Sequence, residues 1–328
     1  MEYKARIVRF WQEYLPGTPP ERFDWMRTNP AGPAIWFFAI DEKTSTLAGA
    51  ISLMPKDILV NGRPMRAGIM GDYMIGSRYR VFGPALDLQR AVTKDFSDLG
   101  FSFIYTVPNQ ASIKIIERMG FVEVLRLRTL VKPVKALPYL KKYVNPAVAR
   151  LTAPVAELAM KIRSRETYVA SDGVFEEVEE ADGRFDRFWR DFKADHMGVT
   201  GEQGSSYLQW KYFNNPVKNF RILACVEDGD GGLLGYICFA VNNDKMEIHD
   251  IVAREERHAD KLLKQLIIKA GRERCKYISI MLSEKSPWVK RLKAFLFLDA
   301  NSHASVYCYG DMDAVAEKWH FFEGERNI

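Results

Sequence analysis

Apolar and polar positions follow one pattern through the first half of the chain and repeat it in the second. Each half begins with an amphipathic helix and continues with short apolar strands, a second helix, another strand and a short last helix. For the first half the pattern predicts helices over 7–15, 84–98 and 111–119, and strands over 34–40, 48–54, 58–60, 65–68, 69–75 and 101–107. For the second half it predicts helices over 184–194, 260–273 and 287–295, and strands over 220–226, 235–241, 246–252 and 277–282. Strands that alternate with helices in this way predict a mixed α/β fold with strand–helix–strand crossovers.

Turn residues and tryptophans mark the same repeat. Phe23-Asp24-Trp25 precedes Asn29-Pro30 in the first half, and Leu208-Gln209-Trp210 precedes Asn215-Pro216 in the second. Nineteen positions separate Pro30 from Gly49, and nineteen separate Pro216 from Gly235. The repeat predicts one fold in two copies. The aromatic residues that recur with it are interpreted as core.

A chain of 328 residues is long enough for two domains. We predict a first domain over 1–135, a helical linker over 136–165 and a second domain over 166–328. Within the first domain, Asn61-Gly62 between two apolar runs is a turn typical of a β-hairpin.

The loop from Ile75 to Ala85 follows a predicted strand and opens a predicted helix. Backbone N–H groups at a helix amino terminus have no intrahelical partner, and the helix dipole favours an anion there. Gly83 would let a phosphate approach the backbone, and Pro84 suits the first helical turn. With the charge of Arg80, this loop is typical of a pyrophosphate site.

Two motifs resemble those of the Gcn5-related N-acetyltransferase (GNAT) family. The family's V-x-P-x-x-R-x-x-G-x-G/A pattern is matched at Ile75, Arg80, Gly83 and Ala85, with Ser77 where proline is common. Its N-x-x-A-x-x-l-Y-x-x-x-G-F pattern is matched by Asn109 eleven positions before Gly120-Phe121, with Ser112 and Ile115 at the alanine and leucine positions. The resemblance covers residues 1–130 well and 166–328 in outline.

The resemblance implies two tandem GNAT-like domains, each a mixed, mostly antiparallel sheet flanked by helices, with the second copy degenerate. It also implies acetyl-CoA as cosubstrate and direct acetyl transfer to a small primary amine, for which an amino sugar is one candidate. The residues implied to bind the cofactor are Ile75, Arg80, Val81, Phe82, Gly83, Pro84, Ala85, Asn109 and Ser112.

One departure from the family concerns the acid that protonates the leaving thiolate. The tyrosine that many members place four residues before the glycine of G-F is Ile116 here. Tyr73, Tyr79 and Tyr105 are the available substitutes, and the sequence does not rank them. Asp72 is the candidate base for the acceptor amine; the alternative is that it caps a turn or pairs with Arg66 or Arg78. We predict Asp72 and Tyr73 as the catalytic residues. A backbone donor near Tyr73 would polarise the acyl carbonyl.

In the second copy, Arg257 keeps the arginine position, but Asp260 replaces the loop glycine and Leu262 the small residue. A carboxylate there opposes a phosphate, and we predict that Asp260 caps the helix instead. His249 and Asp250 could form an acid–base pair, but a structural histidine is the preferred interpretation because neighbouring strand residues face opposite sides.

The net charge of +5 is concentrated in one segment. Residues 131–165 carry +7, from eight basic residues and Glu157, which leaves the rest at −2. Such a distribution argues against a nucleic-acid-binding face and favours either a solvated linker helix or a weak contact with an anionic membrane surface.

Cys225, Cys238, Cys275 and Cys308 form no CxxC pair, so we expect buried thiols and no metal. No apolar run suits a spanning helix or a signal peptide, and a cytoplasmic protein is expected.

The sequence therefore favours an acetyl-CoA-dependent N-acetyltransferase. Two alternatives stay open at this point. One is aminoacyl transfer from charged tRNA, as in Fem-type transferases, which also pair two GNAT-like domains. The other is a protein that binds acyl-CoA without turnover. Ile116, which stands where many family members have a tyrosine, favours this alternative.

Overall fold

The computed structural model describes residues 2–80, 82–195, 198–229, 231–310 and 319–326. The helices are α1 (Glu2–Tyr14), α2 (Glu21–Arg27), α3 (Phe82–Asp95), α4 (Gln110–Arg118), α5 (Leu137–Leu140), α6 (Pro146–Arg163), α7 (Gly183–Asp195), α8 (Ser205–Leu208), α9 (Glu256–Arg272) and α10 (Trp288–Ala294). The strands are β1 (Ile35–Asp41), β2 (Thr46–Val60), β3 (Arg63–Ile75), β4 (Phe103–Thr106), β5 (Val122–Pro133), β6 (Val174–Val178), β7 (Val199–Gly201), β8 (Phe220–Val226), β9 (Leu233–Asn242), β10 (Lys245–Ala253), β11 (Tyr277–Ser283) and β12 (Leu298–Gly310).

These strands form one mixed sheet with helices packed against it, as the α/β pattern predicts. Its order is β1-β2-β3-β4-β12-β5-β11-β10-β9-β8-β6, and β7 pairs with β2 beside this path. In the first half β1, β2 and β3 are antiparallel and β4 lies parallel to β3. In the second half β8, β9 and β10 are antiparallel and β11 lies parallel to β10. The same order of elements thus occurs twice.

The two halves exchange their last strands. β12, from the second half, lies between β4 and β5 of the first, and β5 lies between β12 and β11. In the order β4-β12-β5-β11, the last strand of each half pairs with the parallel strand, β4 or β11, of the other half. Because the sheet continues across residues 136–165, it does not delimit domains, and the boundaries 1–135, 136–165 and 166–328 stay a prediction.

The hairpin at Asn61-Gly62 is longer than its pattern indicated. The two apolar runs before the turn form the single strand β2, and the two runs after it form β3. Both turn residues have a positive φ, 50° at Asn61 and 77° at Gly62, which is why asparagine and glycine are favoured there. β2 is almost entirely buried, since it packs against neighbours on both faces.

The two repeated tryptophans meet where the halves join. The rings of Trp25 and Trp210 stack with centroids 4.4 Å apart and planes 5° apart. Each indole N–H donates to the backbone oxygen of the other residue, at 2.8 Å in both directions. Reciprocal bonds of this kind place the pseudo-twofold axis between them. Both rings are buried, as the interpretation of the repeated aromatics as core requires.

Several elements differ from those that the sequence predicted. α9 begins at Glu256 rather than at 260, and its N-cap position is Glu255, so the prediction that Asp260 caps the helix is wrong. Strands β5 and β12, which carry the exchange, were not predicted. β5 nevertheless alternates apolar and charged residues in the period of two that is typical of a strand.

A buried polar cluster holds the segment 319–326 inside the molecule. Lys56, 1% exposed, pairs with the Glu325 carboxylate at 2.8 Å and donates to the Tyr207 hydroxyl at 2.8 Å. Tyr105 donates to the backbone oxygen of Glu325 at 2.7 Å, and Lys211 donates to that of Arg326 at 2.9 Å. The segment therefore bonds to residues of both halves.

Burial shifts the pKa values of two groups in this region, Lys211 and Asp250. Desolvation lowers the pKa of Lys211 to about 7, and the neighbouring charge of Lys56 acts in the same direction. Desolvation also raises the pKa of Asp250 to about 7, although its carboxylate accepts a hydrogen bond from Gln203 Nε2 at 2.5 Å.

Candidate active site

The cleft of the first half opens where β3 and β4 separate. The two strands pair only from Ala67 to Ile69 on β3, opposite 103–105 on β4. Beyond this point β3 keeps its pairing with β2 but leaves β4. A β-bulge in β3 places Asp72 and Tyr73 opposite the single residue Ile51 of β2, and Asp72 has a φ of 49°. These two residues therefore interrupt the register between β2 and β3 where the cleft opens.

Two adjoining cavities occupy the cleft. The inner cavity measures about 460 Å³ and the outer cavity about 590 Å³. They share four wall residues: Leu15, Tyr73, Asn109 and Ser112. A ligand with one end in each cavity would therefore pass Tyr73 and the start of α4.

Five of the residues predicted to bind the cofactor line the outer cavity: Ile75, Arg80, Ala85, Asn109 and Ser112. Gly83 and Pro84 lie in the first turn of α3, and Gly83 is exposed. Val81 and the side chain of Phe82 lie outside the described residues. The structure thus brings residues of both motifs to one cavity.

Asn109 is the N-cap of α4. Its Oδ1 accepts from the backbone N–H and from the hydroxyl of Ser112, both at 3.0 Å. These bonds satisfy a helix N–H that would otherwise have no partner, and they fix the Asn109 side chain at the edge of both cavities.

Helix α1 fixes the loop before α3, a contact that the sequence did not indicate. The Tyr14 hydroxyl accepts from the backbone N–H of Ser77 at 3.1 Å. The Arg80 guanidinium lies over the Tyr14 ring, 5.6 Å from its centroid, and Arg80 Nε donates to Ile75 O at 3.4 Å. The charge of Arg80 is held at the outer cavity by these contacts.

Asp72 lies in the wall of the inner cavity and is engaged by its neighbours. Its Oδ1 lies 2.5 Å from Arg22 Nη1, and its Oδ2 accepts from the Ser52 hydroxyl at 2.7 Å. Both charged side chains are buried. Arg22 is 50 residues away in the sequence, which is why no local pattern pointed to it.

The structure separates the three candidate tyrosines. Tyr73 lines both cavities, and its hydroxyl makes one long bond to Ala85 O at 3.3 Å. Tyr79 lines neither cavity and donates to Asp41 Oδ2 at 2.7 Å. The hydroxyl of Tyr105 is turned to Glu325. Burial raises the pKa of Tyr73 to about 12, so its hydroxyl keeps its proton at neutral pH. Ile116 is buried in the inner wall.

Gln89 of α3 is a wall residue that the sequence did not single out. Its side chain lines the inner cavity and is 1% exposed. Among the described residues neither Nε2 nor Oε1 has a hydrogen-bond partner. An unpaired buried amide is costly, and water or a ligand in the cavity would supply the partners that it lacks.

The inner cavity is built by both halves. Val217, Ala304 and Arg326 contribute to a wall that otherwise belongs to the first half. Arg326 comes from the segment 319–326 that the buried cluster holds, and Ala304 comes from the exchanged strand β12. The exchange of strands is therefore part of the site.

The equivalent region of the second half has no comparable loop. Six residues (76–81) separate β3 from α3, but two residues (254–255) separate β10 from α9. Asp260 is buried and bonded to Arg165 Nη2 at 2.6 Å and to Arg291 Nη1 at 2.5 Å. These pairs occupy the position where the first half has its exposed Gly83.

His249 and Asp250 have separate surroundings. His249 is buried, with its ring 4.8 Å from that of Phe220 and its Nε2 3.8 Å from Glu247, and burial lowers its pKa. Asp250 contacts Gln203 instead.

The four cysteines are buried free thiols. Among the described residues, no group of three or more His, Cys, Asp or Glu side chains could hold a metal ion, and no helix is long and apolar enough to cross a membrane.

No protein-family model and no curated protein matches the sequence. Solved structures do match. A conserved protein of unknown function from Enterococcus faecalis, a probable N-acyltransferase, is 11% identical with a TM-score of 0.66, over 96% of this chain and 71% of that one. A GCN5-related N-acetyltransferase from Anabaena variabilis is 10% identical with a TM-score of 0.67, over 94% and 70%. Saccharomyces cerevisiae N-myristoyltransferase with bound myristoyl-CoA is 11% identical with a TM-score of 0.56, over 89% and 74%. The chain has the GNAT fold.

Proposed function

We propose that this GNAT-fold protein transfers an acetyl group directly from acetyl-CoA to a small primary amine. The observation that carries the proposal is the pair of adjoining cavities where β3 leaves β4. The outer cavity has the Arg80 charge and the start of α3 for the diphosphate, and the inner cavity has room for a small acceptor. The structural neighbours whose names include acyl transfer support the same reaction class.

Gly83 supports a phosphate at the start of α3. Its φ is not in the left-handed region, and an added Cβ would meet nothing within 4 Å. The fold itself therefore does not require glycine at this position. Close approach of a phosphate to the backbone N–H groups would explain why glycine stands here. Ile75, Arg80, Ala85, Asn109 and Ser112 would hold the rest of the cofactor.

The bulge at Asp72 and Tyr73 would receive the reacting thioester. A backbone N–H of this bulge would polarise the acyl carbonyl. The neutral amine attacks this carbon, the carbon–sulfur bond breaks, and the Tyr73 hydroxyl gives its proton to the departing thiolate. The proton that the amine loses passes through water in the inner cavity and restores Tyr73.

The surroundings of Asp72 favour a positioning role over that of a base. Its two oxygens are already engaged, one by the Arg22 guanidinium and the other by the Ser52 hydroxyl. In this role Asp72 holds the bulge, where its own φ is 49°. Removal of the acceptor's proton is then left to water.

The affinity for acetyl-CoA tests the proposal. We expect Gly83→Asp to weaken binding about a hundredfold, because a carboxylate roughly 5 Å from a phosphate charge costs up to about 3 kcal/mol at an effective dielectric constant near 20. Isothermal titration calorimetry with acetyl-CoA measures the change.

Gly83→Asn is the matched control, since it adds the same bulk without the charge, and it should lose far less affinity. Equal loss in both variants would mean that space, and not charge, is decisive. No binding by the wild type would reject the proposal. Binding without acetylation of any amine in a screen would favour a protein that binds acyl-CoA without turnover.

The unpaired amide of Gln89 gives a second test, directed at the inner cavity. Gln89→Leu should raise the free energy of unfolding by about 1–3 kcal/mol, because it removes two buried groups without partners. It should also raise the KM for the acceptor, since the ligand loses a partner. Urea unfolding and steady-state kinetics measure the two effects.

Gln203→Leu is the matched comparison, because that buried amide is bonded at both ends, to Asp250 and to the Tyr236 hydroxyl. Its replacement should lower stability. If Gln89→Leu also lowers stability, the amide has partners in the ligand-free protein; if it leaves the KM for the acceptor unchanged, Gln89 has no part in binding.

A further inference from the structure

Helix α6 carries a row of large apolar side chains that point into solvent. Its members are Val148, Leu151, Val155, Leu158 and Ile162, spaced by three and four residues. Residues at this spacing lie on one face of a helix. Each is between 47% and 79% exposed. Five such side chains in line are unusual for a surface helix, where isolated exposed apolar residues are the rule.

The opposite face holds α6 to the rest of the protein. Ala149 and Ala153 are buried there, and the Glu157 carboxylate accepts from the backbone N–H of Ala136 at 2.9 Å. The helix begins at an Asn145 N-cap whose Oδ1 accepts from Ala147 N at 2.9 Å. The apolar row is therefore the outer face of an anchored helix.

Positive charge flanks the row. Exposed basic side chains on α6 and just before it are Lys141, Lys142, Arg150, Lys161 and Arg163. None of them forms an ion pair within the described part of the chain. The one acidic side chain of the helix, Glu157, belongs to the inner side. A partner of this face must accept apolar side chains and several positive charges together.

We propose that α6 binds an anionic membrane surface, with its apolar row among the lipids and its basic residues at the headgroups. An amphipathic helix of this type lies in the plane of the interface, about 5–10 Å deep. Anionic headgroups supply the negative charge that the flanking residues lack. This inference is independent of the reaction at the cleft.

A second copy of the chain is the competing occupant. Valine or isoleucine alternating with leucine at this spacing also suits a seam between two helices. The flanking positions, however, include Thr152, Pro154, Ala159 and Lys161, which offer no opposite charges for pairing. Two α6 helices side by side would bring like charges together, which an anionic surface avoids.

Co-sedimentation of the full chain with lipid vesicles tests the proposal. The protein should pellet with vesicles of equal parts phosphatidylcholine and phosphatidylserine, less so as salt is raised, and not with phosphatidylcholine alone. Leu151→Asp and Leu158→Asp should each lower the partition coefficient by about tenfold or more. Arg150→Gln and Lys161→Gln should each lower it roughly fivefold.

Leu298→Asp is the matched control: Leu298 on β12 is 57% exposed, close to the 59% of Leu158, but lies outside the row. It should bind vesicles like the wild type. Failure of the wild type to pellet with anionic vesicles, or equal loss in the control, would overturn the proposal. Sedimentation velocity without lipid should show a monomer; a dimer that Leu151→Asp dissociates would assign the row to a second copy instead.

Discussion

Replacement of Tyr73 by phenylalanine is expected to lower kcat for acetyl transfer about 10²–10⁴-fold while leaving acetyl-CoA binding nearly unchanged. The tyrosine lines both cavities, and its hydroxyl bonds to one group of the described residues, Ala85 O, at a long 3.3 Å, so it can turn towards a leaving thiolate. Burial holds its pKa near 12, which keeps the proton available. Steady-state kinetics and calorimetry on the same preparations separate the two effects.

Tyr79→Phe distinguishes this assignment from the other candidate in the same loop region. The Tyr79 hydroxyl is turned to Asp41, away from both cavities, so kcat should stay within about threefold of the wild type, the size of a small structural effect. A large loss in Tyr79→Phe with none in Tyr73→Phe would transfer the role. An unchanged kcat in Tyr73→Phe would contradict proton donation by this residue.

Glu325→Gln should lower the free energy of unfolding by about 3–5 kcal/mol, because it leaves the buried Lys56 ammonium without its counter-charge. Burial alone would lower the pKa of Lys56, but the charges of Glu325 and Tyr207 raise it above its usual value, so the pair is intact at neutral pH. A group with a raised pKa adds stability below its unfolded value, and this part should be lost only at strongly alkaline pH. Urea unfolding at neutral pH measures the main effect.

Glu323→Gln is the comparison within the same segment. Its carboxylate pairs with Arg326 at 3.0 Å in a partly exposed position, and its removal should cost less than about 1 kcal/mol. Similar losses in the two variants would show that the segment, rather than the buried pair, determines stability. No loss in Glu325→Gln would mean that Lys56 finds another partner.

The parts of the fold that could be predicted from the sequence are those set by local pattern. The Asn61-Gly62 turn, the strands around it and the equal spacings in the two halves were legible because periodicity and turn chemistry act over a few residues. The loop before α3 was predictable for the same reason, since strand, glycine, proline and helix follow one another directly.

The parts that were missed depend on residues far apart in the chain. Arg22 meets Asp72 across 50 residues, and Lys56 meets Glu325 from the second half of the chain. No single stretch of sequence specifies such pairs. Gln89 was missed for another reason: a helical glutamine looks ordinary until its burial and its lack of partners are known.

The role given to Asp260 shows how a local rule can fail. Aspartate is a favoured N-cap, but here the helix starts one turn earlier, and the side chain is buried between two arginines. Arg165 and Arg291 come from the segment before β6 and from α10. Tertiary contacts, which the sequence did not reveal, replaced the capping role.

The exchange of β5 and β12 also determines when the sheet can be completed during translation. Strand β12 is made long after β4 and β5, between which it belongs; at about 5–20 residues per second the delay is roughly 10–40 s. Through this interval β4 and β5 both lack the neighbour that β12 will supply, and unpaired strand edges of this kind recruit other chains. The cleft of the first half is finished only when Ala304 and Arg326, which line the inner cavity, have left the ribosome.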